Sequence, residues 1–261
     1  MSTAQVYLAT IALEPNRWFG ITQDRWATIT ASAWLDRIRD AGFDGIELWE
    51  AHATEAEPDE LAMIFGHDLR VVVYNTYAGF DEESDTIRQQ AAEMTVRSGA
   101  RKVKWNTGAE RDEASLDAYG ERLARWVGEM PGVQTVCECH DGSAMDDPEA
   151  AARVLTAGGP PEAVGALVHT HDSHELLRAR FDAYGERICH VHINHLNLQA
   201  PPLAEIRDDF TKTVGLLKDL GFDGTWSLEF VDGTLSETDN EPEKLFAAAV
   251  ADLSVLREIL G

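Results

Sequence analysis

Four short segments carry ionisable residues at alternate positions: VCECH (136–140), VHTHD (168–172), ICHVHIN (188–194) and TWSLEFV (225–231). Each reads as a strand, in which residues i and i+2 share a face. In the first, Glu138 and His140 lie opposite Cys137 and Cys139. In the third, Cys189, Val191 and Ile193 form an apolar face and leave His190, His192 and Asn194 on the other. In the fourth, Ser227 and Glu229 oppose Trp226, Leu228 and Phe230. The second ends with Asp172 in phase with Thr170 and Val168, while His169 and His171 take the other phase, where a structural role is expected. A Glu, an Asp, a His and a Glu brought to the inner ends of four strands would be costly to bury unpaired. They should share a cation or pair with one another.

Lys104 and Arg178 are the candidate counter-charges for a salt-bridge network, but two cations do not balance three carboxylates. A mostly oxygen donor set with one imidazole suits one hard to borderline divalent ion. Mn²⁺, Mg²⁺ or Co²⁺ fits best, and Zn²⁺ is also compatible.

The elements that must position these groups follow a repeated pattern of helix, glycine and short β-rich run. AWLDRIRDAGFDGIELWEAH is echoed by TVGLLKDLGFDGTWSLEFVDG, with GFDG at 42–45 and 221–224. A glycine just past a helix supplies a left-handed turn into the next strand. Strands are predicted at 5–12, 44–50, 69–76, 101–106, 133–140, 164–171, 187–194 and 224–231. Helices are predicted near 31–41, 58–66, 83–99, 113–129, 147–157, 174–184, 203–220 and 242–259. Pro58, Pro148 and Pro242 stand where first helical turns begin. Eight alternations argue for an α/β fold, a single (β/α)₈ TIM barrel spanning 1–261 as one domain. A doubly wound open sheet is disfavoured, because no G-x-G-x-x-G follows the first strand.

The chain has 261 residues, the size of one barrel, and its 22 Lys and Arg against 46 Asp and Glu give a net charge of −24. So acidic a surface repels phosphate backbones and anionic lipid, which excludes nucleic-acid and membrane-surface partners. No apolar run approaches the length of a membrane span. MSTAQVYLATIALEPNRW lacks a positive n-region, so no signal peptide is expected. Three cysteines, an odd number, fit a reducing compartment, and the expected location is cytoplasmic. A homo-oligomer is compatible with this composition.

GFDGIELWEAH, CECHDGSAMDDPEAAARVL, VHTHDSHELLRA, ICHVHINHLN and GFDGTWSLEF resemble the sugar phosphate isomerase/epimerase group of xylose-isomerase-like barrels. The resemblance covers most of the chain and is strongest from 130 to 231. It implies that Glu138, Asp172, His192 and Glu229, from the fifth to eighth strands, hold one divalent metal. The family's seventh strand usually continues from its His into Lys-Asp, where Asn194 and His195 stand here. A His three residues after the sixth-strand Asp is also common, whereas here His174 comes two after and Glu175 takes that slot.

The resemblance makes His140 a substrate group or an outer partner of the metal site; otherwise it is a helix-capping or loop histidine. His190 reads as a core or metal-orienting histidine. His52 is a substrate contact or a solvated loop residue, and Lys104 a substrate-binding cation or a counter-charge. His174 and Arg178 are further substrate-binding candidates. The thiols of Cys137 and Cys139 should pack against helices. Trp18, Phe19, Trp26 and Trp34 gather before the first long helix, where indoles can stack on a sugar ring or fill the core. The loops after strands seven and eight, including acidic 232–243, offer no glycine-rich nest and no cation before Arg207, so a phosphorylated substrate is disfavoured.

The expected activity is therefore metal-dependent isomerisation or epimerisation of an unphosphorylated sugar or keto-sugar through an enediolate, with Glu138, Glu229 and His140 as catalytic groups. A lyase or dehydratase using the same enolisation is the alternative, of the kind that acts on a keto-inositol or an oxidised glycoside.

Overall fold

A computed structural model describes residues 4–15, 26–194, 200–232 and 241–261. The strands are β1 (Val6–Ala9), β2 (Gly45–Trp49), β3 (Val71–Asn75), β4 (Lys102–Trp105), β5 (Gln134–Glu138), β6 (Val164–His169), β7 (Ile188–Ile193) and β8 (Thr225–Leu228). Each falls inside its predicted segment. The strands hydrogen-bond in chain order and the sheet closes, which is the eight-stranded parallel barrel the alternation implied.

The predicted helices are α1 (Ser32–Asp40), α3 (Pro58–Gly66), α4 (Asp85–Ser98), α5 (Glu113–Glu129), α6 (Pro148–Gly158), α7 (His174–Tyr184), α8 (Arg207–Asp219) and α9 (Pro242–Leu260). Pro58, Pro148 and Pro242 occupy first turns, as their fixed φ favours. Asp112, Asp147 and Ser173 cap α5, α6 and α7 by accepting the N–H groups of Ser115, Ala150 and Leu176. One short helix escaped the pattern: α2 (Ala51–Thr54) directly follows β2 and carries His52. Four residues are too few to show a period.

Gly42 and Gly221, in the two GFDG copies, have φ of 98° and 90°, as a turn out of a helix requires. Gly185 breaks that expectation: its φ is −53° and it leads into a 3₁₀ turn, Gly185–Arg187.

The chain divides into two compact units. The first comprises Met1–Val72, His169–His171 and Val191–Gly261. Within it, Leu8 on β1 is in register with Ile46 on β2 and Leu228 on β8, and all three are fully buried. The second comprises Val73–Val168 and Asp172–His190, where β3 to β6 pair in sequence. Its helix-side core centres on Phe80, whose ring meets Trp105 at 4.5 Å and Trp126 at 5.5 Å, both edge-on. Trp34 is half-buried against Phe246, with Arg37 over its ring, and Trp26 is exposed. Trp18, Phe19, His195 and most of the 232–243 loop lie outside the described residues.

One buried carboxyl lies in the helix layer. Asp252 of α9 accepts the backbone N–H of Leu203 at 2.8 Å. Burial pushes its pKa up to about 6, against the lowering effect of that bond and with Asp232 adding to the rise. The unfolded value is about 3.9. The folded pKa is the higher one, so this group's contribution to stability is complete below about pH 4 and lost as pH rises through about 6. Asp252→Asn keeps an oxygen for Leu203 and removes the charge. Its thermal midpoint should match the parent's near pH 4 and exceed it by roughly 2–8 °C near pH 7. A gain of the same size at both pH values would contradict the linkage.

Candidate active site

In the first unit the site is built from β2, β7 and β8. Ladder bonds set the strand ends: Thr170 N–H reaches the His192 carbonyl at 3.0 Å, and Glu229 N–H reaches the Ile193 carbonyl at 3.2 Å. His192 is fully buried between two carboxylates. Its Nε2 lies 3.1 and 3.2 Å from the two oxygens of Glu47, and its Nδ1 lies 3.2 Å from Glu229 Oε1. Asn194 donates from Nδ2 to Glu229 Oε2 at 2.6 Å. The Asn194 carbonyl oxygen then accepts from His171 Nδ1 at 2.6 Å, which fixes that histidine's tautomer. Asn194 thus supports a carboxylate with an uncharged donor.

Glu47 was not singled out from the sequence. The signal was present, because Glu47 alternates with Ile46 and Leu48 in GIELW as Glu229 does with Leu228 and Phe230. His169 corrects another expectation. Rather than standing apart as a structural residue, it stacks on His171 at 4.8 Å and meets His192 edge-on at 5.5 Å. His169, His192 and Glu229 each offer a ligand atom, all within 4.8 Å of one another. The strand ends at His169 and the chain turns at 170–171, so alternation no longer governs the residues beyond it.

His52 is neither solvated nor in a loop. It is buried, with Nδ1 2.8 Å from Thr10 Oγ1 and Nε2 2.6 Å from Glu14 Oε1. Glu14 also accepts the N–H groups of Thr28 and Ile29, fastening the chain that leads into α1. Burial alone would raise the Glu14 pKa, but the bonds from His52 and Thr28 outweigh it and hold the carboxyl below its usual range.

The second unit holds the other predicted carboxylates. Glu138 Oε2 accepts from Lys104 Nζ at 2.5 Å and from Asn106 Nδ2 at 2.9 Å. The Asn106 carbonyl oxygen in turn accepts from Lys104 at 3.0 Å, and the ammonium sits 3.9 Å from the centre of the Tyr77 ring. Lys104 is fully buried and is the counter-charge of Glu138. Asp172 pairs through Oδ2 with Arg180, not Arg178. The helical period decides this: Leu177, Arg180 and Tyr184 form the buried face of α7, whereas Arg178 points off it and is exposed. Burial lowers the proton affinity of Arg180, but Asp172 outweighs it and the net shift is upward. His174 is exposed at the start of α7. His140 is half-buried just past β5, its Nδ1 2.5 Å from the Asp141 carbonyl. Cys137 and Cys139 are buried and unbridged, and burial pushes the Cys137 thiol up.

A single pattern runs through both units. Each of the three predicted carboxylates has its second oxygen gripped by a side-chain donor: Lys104 with Asn106, Arg180, and Asn194. Outer donors of this kind orient carboxylates that bind a cation or move a proton.

The chain belongs to the xylose isomerase-like TIM barrels, a family of enzyme-like barrels whose model matches residues 35–259. The resemblance read from the strand motifs is thereby borne out. No curated protein matches the chain in sequence. Among solved structures, D-psicose 3-epimerase with D-fructose is similar over 98% of this chain and 99% of its own, at 14% identity and a TM-score of 0.71. The IolI protein with a bound zinc atom is similar over 98% of both chains, at 16% identity and 0.67. The probable 3-DHS dehydratase AsbF from Bacillus anthracis is similar over 97% of both, at 16% and 0.58. At such identities these likenesses show a shared fold. Among the described residues, no helix is long and apolar enough to cross a membrane.

The Lys104–Glu138 pair is the testable centre of the second unit. Lys104→Met should cost about 3–5 kcal/mol in urea unfolding, because it strands a buried carboxylate. Adding Glu138→Gln should recover most of that loss. A double variant no more stable than Lys104→Met would show that the lysine's packing, not its charge, matters.

Proposed function

We propose that this protein is a divalent-metal-dependent isomerase or epimerase acting on an unphosphorylated sugar or keto-sugar. The observation that carries the reading is His192, buried between Glu47 and Glu229 with a carboxylate oxygen at each ring nitrogen. Such a pair of contacts fits an imidazole that gives one nitrogen to a cation while a carboxylate orients the other. The 3.2 Å between Nδ1 and Glu229 Oε1 fits two ligands of one ion with bonds of about 2.0–2.2 Å. On this reading Glu138, Asp172, His192 and Glu229 would hold the metal, with Glu47 orienting His192 and Asn194 orienting Glu229. Mn²⁺, Mg²⁺ or Co²⁺ suits the oxygen-rich set, and Zn²⁺ is compatible.

When bound, the metal supplies electrophilic polarisation of a carbonyl and its neighbouring hydroxyl. The rest is this chain's own work. One of Glu138 and Glu229 takes the proton from the carbon beside the carbonyl, leaving an enediolate. The other returns a proton to the opposite face, which epimerises that centre, or to the neighbouring carbon, which isomerises the sugar. Lys104 and Asn106 hold the Glu138 carboxylate, and Asn194 holds that of Glu229, at fixed orientations. His140, His52, His174 and Arg178 are the proposed substrate-side groups. His52 would act from within its buried pair with Glu14, by holding the segment before α1. The likeness to a probable dehydratase favours a second reading: the same enediolate expels a β leaving group, as in a lyase acting on a keto-inositol or an oxidised glycoside. Cytoplasmic location and a small carbohydrate partner complete the proposal.

The test separates ligand from base. The purified protein should carry about one divalent ion per chain, and His192→Ala should lose it. Glu229→Gln should keep much of the metal yet lose turnover by ~10²–10⁴-fold, together with exchange of the substrate's α-proton in D₂O. Full metal occupancy in His192→Ala would remove the proposed site.

A further inference from the structure

The second unit contains a cationic cavity that the proposed reaction does not use. Between α4 and α5 lies a space of about 310 Å³, lined by Arg88, Gln89, Arg122 and Arg125 together with Asp85 and Glu129. Arg122 and Arg125 sit at i and i+3 of α5, one face of that helix. Arg88 approaches from α4, its side chain only 6% exposed. Burial lowers the proton affinity of Arg88 and the charges of Arg122 and Arg125 lower it further, while Asp81 and Glu129 oppose the shift without cancelling it. Three guanidinium groups therefore repel one another in one pocket of a chain whose net charge is −24.

Local bonds position two of these groups, and the two carboxylates of the lining leave one positive charge in excess. Arg88 donates to the carbonyls of Gly79 and Asp81 and pairs with Asp85. Arg122 donates to the Phe80 carbonyl at 2.7 Å. Carbonyls are neutral, so the formal charge of the lining is 3 − 2 = +1. Trp126 stiffens the wall by donating its indole N–H to the Arg88 carbonyl at 2.9 Å. A planar guanidinium presents five donors, more than these bonds consume.

We propose that this cavity binds a multivalent oxyanion, carried by a phosphate ester or a small polycarboxylate. The anion relieves the repulsion among the three arginines and accepts their charge-assisted hydrogen bonds. The site is independent of the strand-end carboxylates, so it stands or falls apart from the proposed activity.

Thermal midpoints and titration calorimetry on the metal-loaded protein, with inorganic phosphate and citrate as probes at constant ionic strength, test it. A saturable rise in midpoint is expected with at least one probe. Arg125 is exposed, so Arg125→Ala should leave the fold intact while weakening the probe's Kd about tenfold, the loss of one charge-assisted bond. The rise should persist in His192→Ala, which separates this cavity from anion binding at the metal. Preference for phosphate assigns an ester and preference for citrate a polycarboxylate. The proposal is overturned if sodium chloride reproduces the rise, if no rise saturates, or if Arg125→Ala binds as the parent does.

Discussion

A carboxylate removed from water must be met by donors, and this strongly acidic chain removes several. Glu14, Glu47, Glu138 and Glu229 are all buried, and the Asp172 side chain is nearly so. Each ionised group would cost several kcal/mol if the fold offered nothing in exchange. The fold offers an imidazole to Glu14 and Glu47, an ammonium to Glu138, a guanidinium to Asp172 and an amide to Glu229. These pairings explain why polar residues occupy positions that packing alone would give to Val or Leu. They also explain why the helix-facing sides of the same strands are apolar.

Pairing of this kind is poor evidence for stability and better evidence for orientation. An amide on Glu229 and an ammonium on Glu138 treat two glutamates differently, although both stand at strand ends. The His171–Asn194–Glu229 chain carries that orientation outward from β8, through side chains whose tautomer and amide sense are mutually fixed.

The architecture and most of the candidate chemistry were legible in the sequence, because both depend on local periods. Alternation within ICHVHIN and TWSLEFV assigned His192, Asn194 and Glu229 to one face, and proline positions marked where helices begin. The same rule, applied to GIELW, would have found Glu47. Alternation misled at His169 because its phase was counted back from Asp172, which lies past the end of β6 where the chain turns. The period of α7 also distinguishes Arg180 from Arg178, but only once that helix's buried face is known.

What the sequence determined by itself was the order and extent of the strands and helices, and which side chains share a face. Those properties follow from backbone geometry within a few residues. Tertiary structure alone decided the partners. That Glu47 meets His192 across 145 positions, Lys104 meets Glu138 across 34, and Glu14 reaches His52 across 38 is invisible to any local period. Such pairs depend on strand register and on where each helix returns the chain, and only the closed set of hydrogen bonds fixes those.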